Sequence, residues 1–252
     1  MIPLSVVVVT KNEEKNMDFC LGSVSGWADE IVVVDDQSTD RTVELAKKYT
    51  DKIYHRKMDV EGRHRNWAYA QASNEWVLSL DADEMVTEEL KLEIASAIVS
   101  DQFQAYSIPL KNYIGSYWVK HGGWYPAGKL RLFQKSKFKY EEVGVHPRAF
   151  LEGVCGHLTK DIVHKGYPDL AHFLGSLNYQ TTGEAEKWIN DGRKMSLLRA
   201  WRKGVTRFIK GYFMKKGYKD GMHGLIVAYF ALLYQLMSYF KYWQMNYEKS
   251  KK

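Results

Sequence analysis

Two short valine runs, each closing on a polar or acidic cluster, constrain this chain more than any other feature. Ser5 to Thr10 is almost pure valine, and Glu30 to Val34 repeats the pattern before Asp35 and Asp36. β-branched residues without polar alternation fit strands buried on both faces, the environment of a parallel sheet covered by helices. Asn16 to Trp27 has helical spacing, Thr39 or Asp40 is placed to cap a helix running to about Tyr49, and Lys52 to His55 reads as a short third strand. Arg65 to Ala72 predicts a helix, Trp76 to Leu80 a fourth strand and Glu88 to Val99 a further helix. Strand, acidic turn and helix are thus used twice, and both acid clusters fall at carboxyl ends of strands, where open α/β sheets bind ligands. Beyond residue 103 the pattern loosens, with Gln104 to Pro109 and Lys129 to Phe133 the clearest strands, and from about Leu170 the chain becomes helical.

At 252 residues and 45% hydrophobic, the chain has enough apolar material for one catalytic domain with an appendage. The expected division is 1–170 for the α/β part and 171–252 for a helical, basic tail. Cys20 and Cys155 are too few for a disulfide framework and lie at no zinc-ligand spacing, which suits a reducing compartment. The apolar run at the N-terminus has no basic segment ahead of it and is too short for a signal-peptide core. A cytoplasmic location follows as the expectation.

The net charge of +6 hides an asymmetry: Arg193 to Lys252 holds 14 Lys and Arg against Asp220 and Glu248, so the rest of the chain is mildly acidic. Such a tail meets something anionic. Gly224 to Phe240 carries no formal charge over 17 residues, just under the length for crossing a bilayer, and is rich in tyrosine with lysines on both flanks. A helix lying in the interface of an anionic membrane fits this better than a spanning one. The plainer reading is a buried C-terminal helix.

LSLDADE, Leu78 to Glu84, sets Asp81 and Asp83 directly after a strand. Two carboxylates one residue apart can share a hard cation, and Mg²⁺ or Mn²⁺ with open positions then binds phosphate oxygens and neutralises a leaving diphosphate. Asp36, also at a strand end, is suited to accept hydrogen bonds from a ribose hydroxyl or a base N–H. Asp40 as a helix cap and Asp36 as a turn former are the structural alternatives. In Arg63-His64-Arg65, Arg65 is favoured for a phosphate because guanidinium makes charge-assisted bidentate bonds. Arg131 alternates with Leu130 and Leu132 on a strand, so it faces either the donor phosphates or solvent. Tyr117, Trp118, Trp124 and Tyr125 are available to stack on a sugar or to pack beneath a loop.

VVVVTKNEE, VVVDDQSTDRT, GRHRNWA and LSLDADE, in this order and near these spacings, resemble the inverting family-two glycosyltransferases with the GT-A fold. HGGWYPAGKLRLF and VGVHPRAFLEGVCGHLTKDIVHKGYPDL are similar, more narrowly, to the bacterial lipopolysaccharide core β-glucosyltransferases. The resemblance implies a mostly parallel, Rossmann-like sheet, with nucleotide-sugar binding in 1–100 and acceptor and catalytic parts in 101–170. It implies Thr10, Asn12 and Glu13 beside the nucleotide, Asp36 on the uracil or ribose, Arg65 near the diphosphate, Asp81 near the sugar or ribose, and Asp83 on a Mn²⁺ or Mg²⁺ ion. An inverting transfer needs a base for the acceptor hydroxyl. The family keeps this acid in a short motif well after the D-x-D; here His146-Pro147 stands in that region with Glu141 and Glu142 just upstream. The order of candidates is Glu142, then Glu141, with His146 as base or orienting group. His146 and His164 are also candidates for the ion's shell, since some enzymes of this fold complete it with a later His.

The function expected is transfer of a hexose, glucose by the resemblance, from a UDP-sugar to a lipid-linked saccharide such as lipopolysaccharide core, by an enzyme peripheral to the inner face of the cytoplasmic membrane. Transfer to a polyprenyl phosphate is the alternative within enzymes. A nucleotidyltransferase lacks support because no glycine-rich phosphate loop stands near the N-terminus. Outside catalysis, the chain would be a sugar-nucleotide sensor or a nucleic-acid binder; the intact acids argue against the first, and cations beside a long apolar tyrosine stretch against the second.

Overall fold

The computed structural model describes residues 2–143 and 147–251. The chain forms two compact units, Met1–Lys111 with Ala127–Gly166, and Asn112–Pro126 with Tyr167–Lys252. In the first unit the strands β1 (Ile2–Thr10), β2 (Ala28–Asp35), β3 (Ile53–His55) and β4 (Trp76–Asp81) form a parallel sheet in the order β3-β2-β1-β4. Beyond β4 the sheet continues antiparallel through β8 (Gly128–Gln134) to β6 (Ala105–Ile114). Two short strands, β5 (Glu84–Val86) and β12 (Ile162–Tyr167), pair antiparallel, with His164 opposite Glu84, and the remaining short strands among the described residues are β7 (Tyr117–Trp118), β9 (Phe138–Tyr140), β10 (Ala149–Leu151) and β11 (Cys155–His157).

Alternate residues of β1 serve opposite cores, which is why the valine run shows no polar alternation. Leu4, Val6 and Val8 pack with Ile31, Val33, Leu78 and Leu80 beneath α1 (Met17–Gly22), α2 (Thr42–Ala46) and α4 (Glu88–Ser100). Val7, Val32, Val34 and Val77 face the other way, onto Ala68 and Tyr69 of α3 (Glu61–Ala70). α1 is shorter than its apolar spacing suggests. It ends at Gly22, where the Ser23 hydroxyl bonds the Cys20 carbonyl and Gly26 takes a left-handed φ of 71°. α3 starts one turn earlier than the spacing predicts, because Gly62 lets the helix press against the carbonyl of Glu141, where any Cβ would collide.

In the second unit, α5 (Leu170–Asn190), α6 (Leu197–Ile209) and α7 (Gly221–Lys249) are joined by packing of both α5 and α6 on α7. Asp169 caps α5 by accepting from His172 N at 2.7 Å, and Ser196 caps α6 from Arg199 N at 3.3 Å. Asp220, buried at the start of α7, accepts from the Tyr117 hydroxyl at 3.2 Å and from His121 N and Nδ1 at 2.7 and 2.9 Å. The aromatic residues singled out from sequence belong to this unit. Tyr117 stacks on His223, Trp118 meets Tyr125 edge-on, and Trp124 packs on Phe173. Among the described residues one helical stretch, Gly217–Lys249, is long and apolar enough to cross a membrane.

Glu30 is a buried carboxylate that ties the N-terminal ends of the parallel strands together. It takes bonds from the Ser5 hydroxyl of β1, from Lys52 ahead of β3, and from Ser73 N and Oγ ahead of β4, the last two at 2.7 and 2.8 Å. Burial pushes its pKa up, but these donors outweigh burial and lower it to about 2 from an ordinary 4.5. A depressed carboxylate pKa contributes stability that is present above 4.5 and is lost as pH falls toward 2. Glu30→Gln should therefore cost about 2 kcal/mol at neutral pH and flatten the acid limb of a urea-unfolding series over that window. An unchanged acid limb would contradict this role.

Candidate active site

The parallel register brings three strand ends together. Thr10 lies opposite Asp35 and Val9 opposite Asp81, so the acids that end β2 and β4 and the Thr10 that ends β1 come to one edge. Two loops then interlock above that edge. Asn12, in a left-handed conformation at φ 54°, accepts from Thr39 N at 2.8 Å and donates its own N–H to Ser38 Oγ at 2.8 Å. Glu13 N donates to Thr42 Oγ1 at 2.7 Å, and the Glu13 carboxylate accepts from Asn16 at 2.7 Å. Asn12 and Glu13 thus hold the first loop onto the second. Asp40 accepts from Thr42 N at 3.0 Å from one residue ahead of the cap position, which Arg41 rather than Thr39 or Asp40 occupies.

Asp36 sits at the base of this arrangement, its N–H on the Thr10 carbonyl at 2.8 Å and its carboxylate on Met58 N at 2.8 Å and Lys11 Nζ at 3.0 Å. Burial raises its pKa, but these two donors prevail and hold it below the usual carboxylate range. An ionised acceptor is therefore fixed at the end of β2. The Thr10 hydroxyl is buried with no hydrogen-bond partner among the described residues.

At the end of β4 the charges are denser. Asp81 gives one oxygen to Arg65 Nη2 at 3.0 Å and the other to Arg131 Nη2 at 2.5 Å. The same nitrogen of Arg131 bonds the buried Glu84, whose other oxygen accepts from Asp81 N at 3.0 Å. Burial pushes the Asp81 carboxyl up, but Arg131 and Arg65 more than offset it and hold Asp81 ionised. Glu84 is pushed up, by burial first and by Asp81 as well, against the pull of Arg131. Arg131, expected to face either phosphates or solvent, instead lies buried beneath Asp81, because β8 runs antiparallel beside β4 and brings the two side chains together. Glu84 is the residue that reading the sequence missed. Its place in LSLDADE gives no sign that it is a buried partner.

Arg65 Nη1 and Arg131 Nε are buried without a partner among the described residues, as are both ring nitrogens of His64. Unsatisfied buried donors carry a penalty of about 1–3 kcal/mol each, so these two guanidinium N–H groups are a cost that the Asp81 and Glu84 ion pairs offset.

Asp83 points away from this cluster. Its Oδ2 lies 3.3 Å from His164 Nε2, and its carbonyl accepts from Lys165 N at 3.0 Å, both contacts made by the β5/β12 pairing. A Cβ at position 166 would stand 2.5 Å from His164 Nε2 and 3.2 Å from Asp83 Oδ2, so Gly166 leaves room that a side chain would fill. Burial pushes the His164 pKa down, but the bond to Asp83 outweighs it and raises it. A carboxylate oxygen and an imidazole nitrogen converging on a small open space fit a divalent ion of the Mn²⁺ type. Among the described residues no three His, Cys, Asp or Glu side chains form such a group, so a substrate and water would complete the shell.

Glu142 accepts from Arg63 Nε at 3.0 Å and lies 3.9 Å from Lys139. Glu141 lies 3.9 Å from Arg148 and is anchored through its backbone, N to Arg148 O at 2.8 Å. His146 falls outside the described residues. Cys20 is buried under the site with its thiol 3.6 Å from the Asp81 carbonyl, and burial raises its pKa well above the usual value.

Removing the cation shared by the half-buried Asp81 and the buried Glu84 tests this arrangement. Arg131→Met should destabilise the protein by about 3–5 kcal/mol, measured by urea unfolding at neutral pH. A loss below about 1 kcal/mol would mean that Asp81 and Glu84 do not depend on it.

Residues 5–151 match the family model described as Glycosyl transferase family 2. The chain is 27% identical over 240 residues to an uncharacterized glycosyltransferase of Rickettsia typhi, covering 90% of this chain and 82% of that one. It is 24% identical over 253 residues to the lipopolysaccharide core biosynthesis glycosyltransferase LpsC of Rhizobium meliloti, covering 97% and 93%. Among solved structures, S. aureus TarS 1–349 in complex with UDP is similar in fold, with a TM-score of 0.51, 16% identity, and coverage of 99% of this chain and 92% of that one. Strand order, acid placement and a match over more than half of its length agree: the chain belongs to glycosyltransferase family 2.

Proposed function

We propose that the protein transfers a hexose, glucose by its resemblance to the lipopolysaccharide core β-glucosyltransferases, from a UDP-sugar to a lipid-linked saccharide with inversion at the anomeric carbon. The observation that carries this reading is the division of one motif at the end of β4, where Asp81 holds Arg65 and Arg131 while Asp83 turns to His164. A nucleoside diphosphate needs cationic donors for its oxygens and a hard cation to disperse charge as it leaves, and Asp81 and Asp83 of one motif hold the residues suited to each, Arg65 and His164. The relationship to LpsC favours a lipopolysaccharide-type acceptor.

In this reading residues 1–170 form the catalytic part and 171–252 the membrane-associating tail, which holds the enzyme at the inner, cytoplasmic face of the membrane on anionic lipid through 193–252. Asp36, Thr10 and the loop held by Asn12 and Glu13 bind the uridine. Arg65, oriented by Asp81 and by Glu61 at 3.2 Å, faces the diphosphate, while Arg131 fixes Asp81 and Glu84. Asp83 and His164 would hold the divalent ion, Mn²⁺ or Mg²⁺, which supplies Lewis-acid stabilisation of the leaving diphosphate when bound. Glu142 takes the proton of the acceptor hydroxyl, with Glu141 and His146 as the next candidates.

Replacing Asp83 by Ala should lower metal-dependent transfer or donor hydrolysis by at least about 100-fold while leaving the protein folded, since its side chain is outside the Asp81 cluster. In the same assay Glu142→Gln should lower kcat with the donor KM little altered. Turnover of Asp83→Ala at the wild-type rate would remove the metal assignment, and unchanged kcat in Glu142→Gln would pass the base to Glu141 or His146.

A further inference from the structure

The sequence directs attention to Gly224–Phe240 as the membrane element, but the helix with the more lopsided outer face is α6. Its buried residues are Ala200 and Gly204, and a Cβ on Gly204 would stand 3.0 Å from the Leu232 carbonyl, so α6 touches α7 along a narrow, small-residue seam. The bulky residues are left outside. Leu197, Leu198, Trp201 and Ile209 are 49%, 68%, 51% and 46% exposed. At 3.6 residues per turn these four occupy one sector about 120° wide, and Phe213 and Met214, also exposed, follow directly in the chain.

A second sector borders the first. An open surface groove runs along α6, lined by Arg199, Arg202, Lys203, Arg207 and Lys210 together with Leu198. From Arg193 to Lys219 the chain contains ten Lys and Arg and no Asp or Glu. Within this run no carboxylate is present to neutralise the row. An exposed apolar sector beside an uncompensated cationic one is the arrangement of a helix lying in a bilayer interface, with apolar residues below the headgroups and basic side chains on lipid phosphates.

We propose that the outward face of α6 docks in the plane of an anionic phospholipid surface, Leu198 and Trp201 entering the acyl boundary while Arg199, Arg202, Lys203 and Lys210 bind headgroup phosphates. This rests on the membrane-associated reading above and assigns the docking face to α6. α7 packs against both α5 and α6, burying Gly224, Val227, Ala228, Gln235 and Ser238, and among the described residues its exposed Tyr229, Phe240 and Trp243 have no row of cations beside them like that of α6. Duplex nucleic acid would be attracted by the same cations but offers nothing to Leu198 and Trp201.

The test is co-sedimentation of the full chain with vesicles of phosphatidylcholine alone and of phosphatidylcholine mixed with phosphatidylglycerol. Wild type should bind the mixed vesicles and not the neutral ones. Arg202→Gln, Lys203→Gln and Lys210→Gln combined should weaken that binding on the order of 100-fold. Leu198→Ser with Trp201→Ser should weaken it by about tenfold or more, and Phe240→Ser with Trp243→Ser on α7 should leave it near wild type. Mixed-vesicle binding unchanged in both α6 variants, loss only in the α7 variant, or duplex DNA bound as tightly as mixed vesicles would each overturn the proposal. UDP-induced stabilisation is read in parallel. An equal rise in melting temperature in every protein shows that the variants are folded, and its absence from wild type would count against the donor reading while leaving the vesicle result to stand.

Discussion

A carboxylate held between two guanidinium groups organises the proposed donor site. Asp81 is ionised because Arg65 and Arg131 take one oxygen each, and Arg131 is tolerated in the interior because it also neutralises Glu84. Buried ions of this kind persist only when each is paired and hydrogen-bonded. The consequence for chemistry is that Asp81 acts through its cations. With both its oxygens engaged, the D-x-D motif divides its work, Asp81 orienting Arg65 and Asp83 turning toward His164.

The fold supplies the rest by register. Parallel pairing of β2, β1 and β4 sets Asp36, Thr10 and Asp81 at one edge, while the antiparallel β5 and β12 carry His164 to Asp83. Gly166 keeps that meeting point open. The two loops that cover the edge are fixed to each other by Asn12 and Glu13 on Ser38, Thr39 and Thr42, so the Asp36 carboxylate is presented in a set position before any ligand arrives. Such preorganisation reduces what binding must spend on ordering.

The strands and the acid clusters were legible because their signal is local: valine runs, a turn, a helix start. The family could likewise be read from four blocks within the first 84 residues. What could not be read depends on pairing between distant segments. Nothing near Arg131 indicates that its guanidinium crosses to Asp81 and Glu84, and His164 is joined to Asp83 only through the family resemblance, the β5/β12 pairing that brings them together being unseen in the sequence. Glu84 resembles a solvated loop acid until the chain closes over it. In the helical region, hydropathy alone selected Gly224–Phe240, whereas the exposed apolar sector of α6 emerges only once Ala200 and Gly204 are seen to take its packing face.

If Arg65 on Asp81 and the Asp83–His164 pair together form a diphosphate site, nucleotide affinity must depend on a divalent ion. The decisive measurement is calorimetric titration of UDP into the full chain with Mn²⁺ and then with EDTA. Binding should tighten by at least about tenfold with the ion. Equal affinity in the two conditions, or no binding of UDP in either, would contradict a metal-assisted nucleotide-sugar site built on this motif.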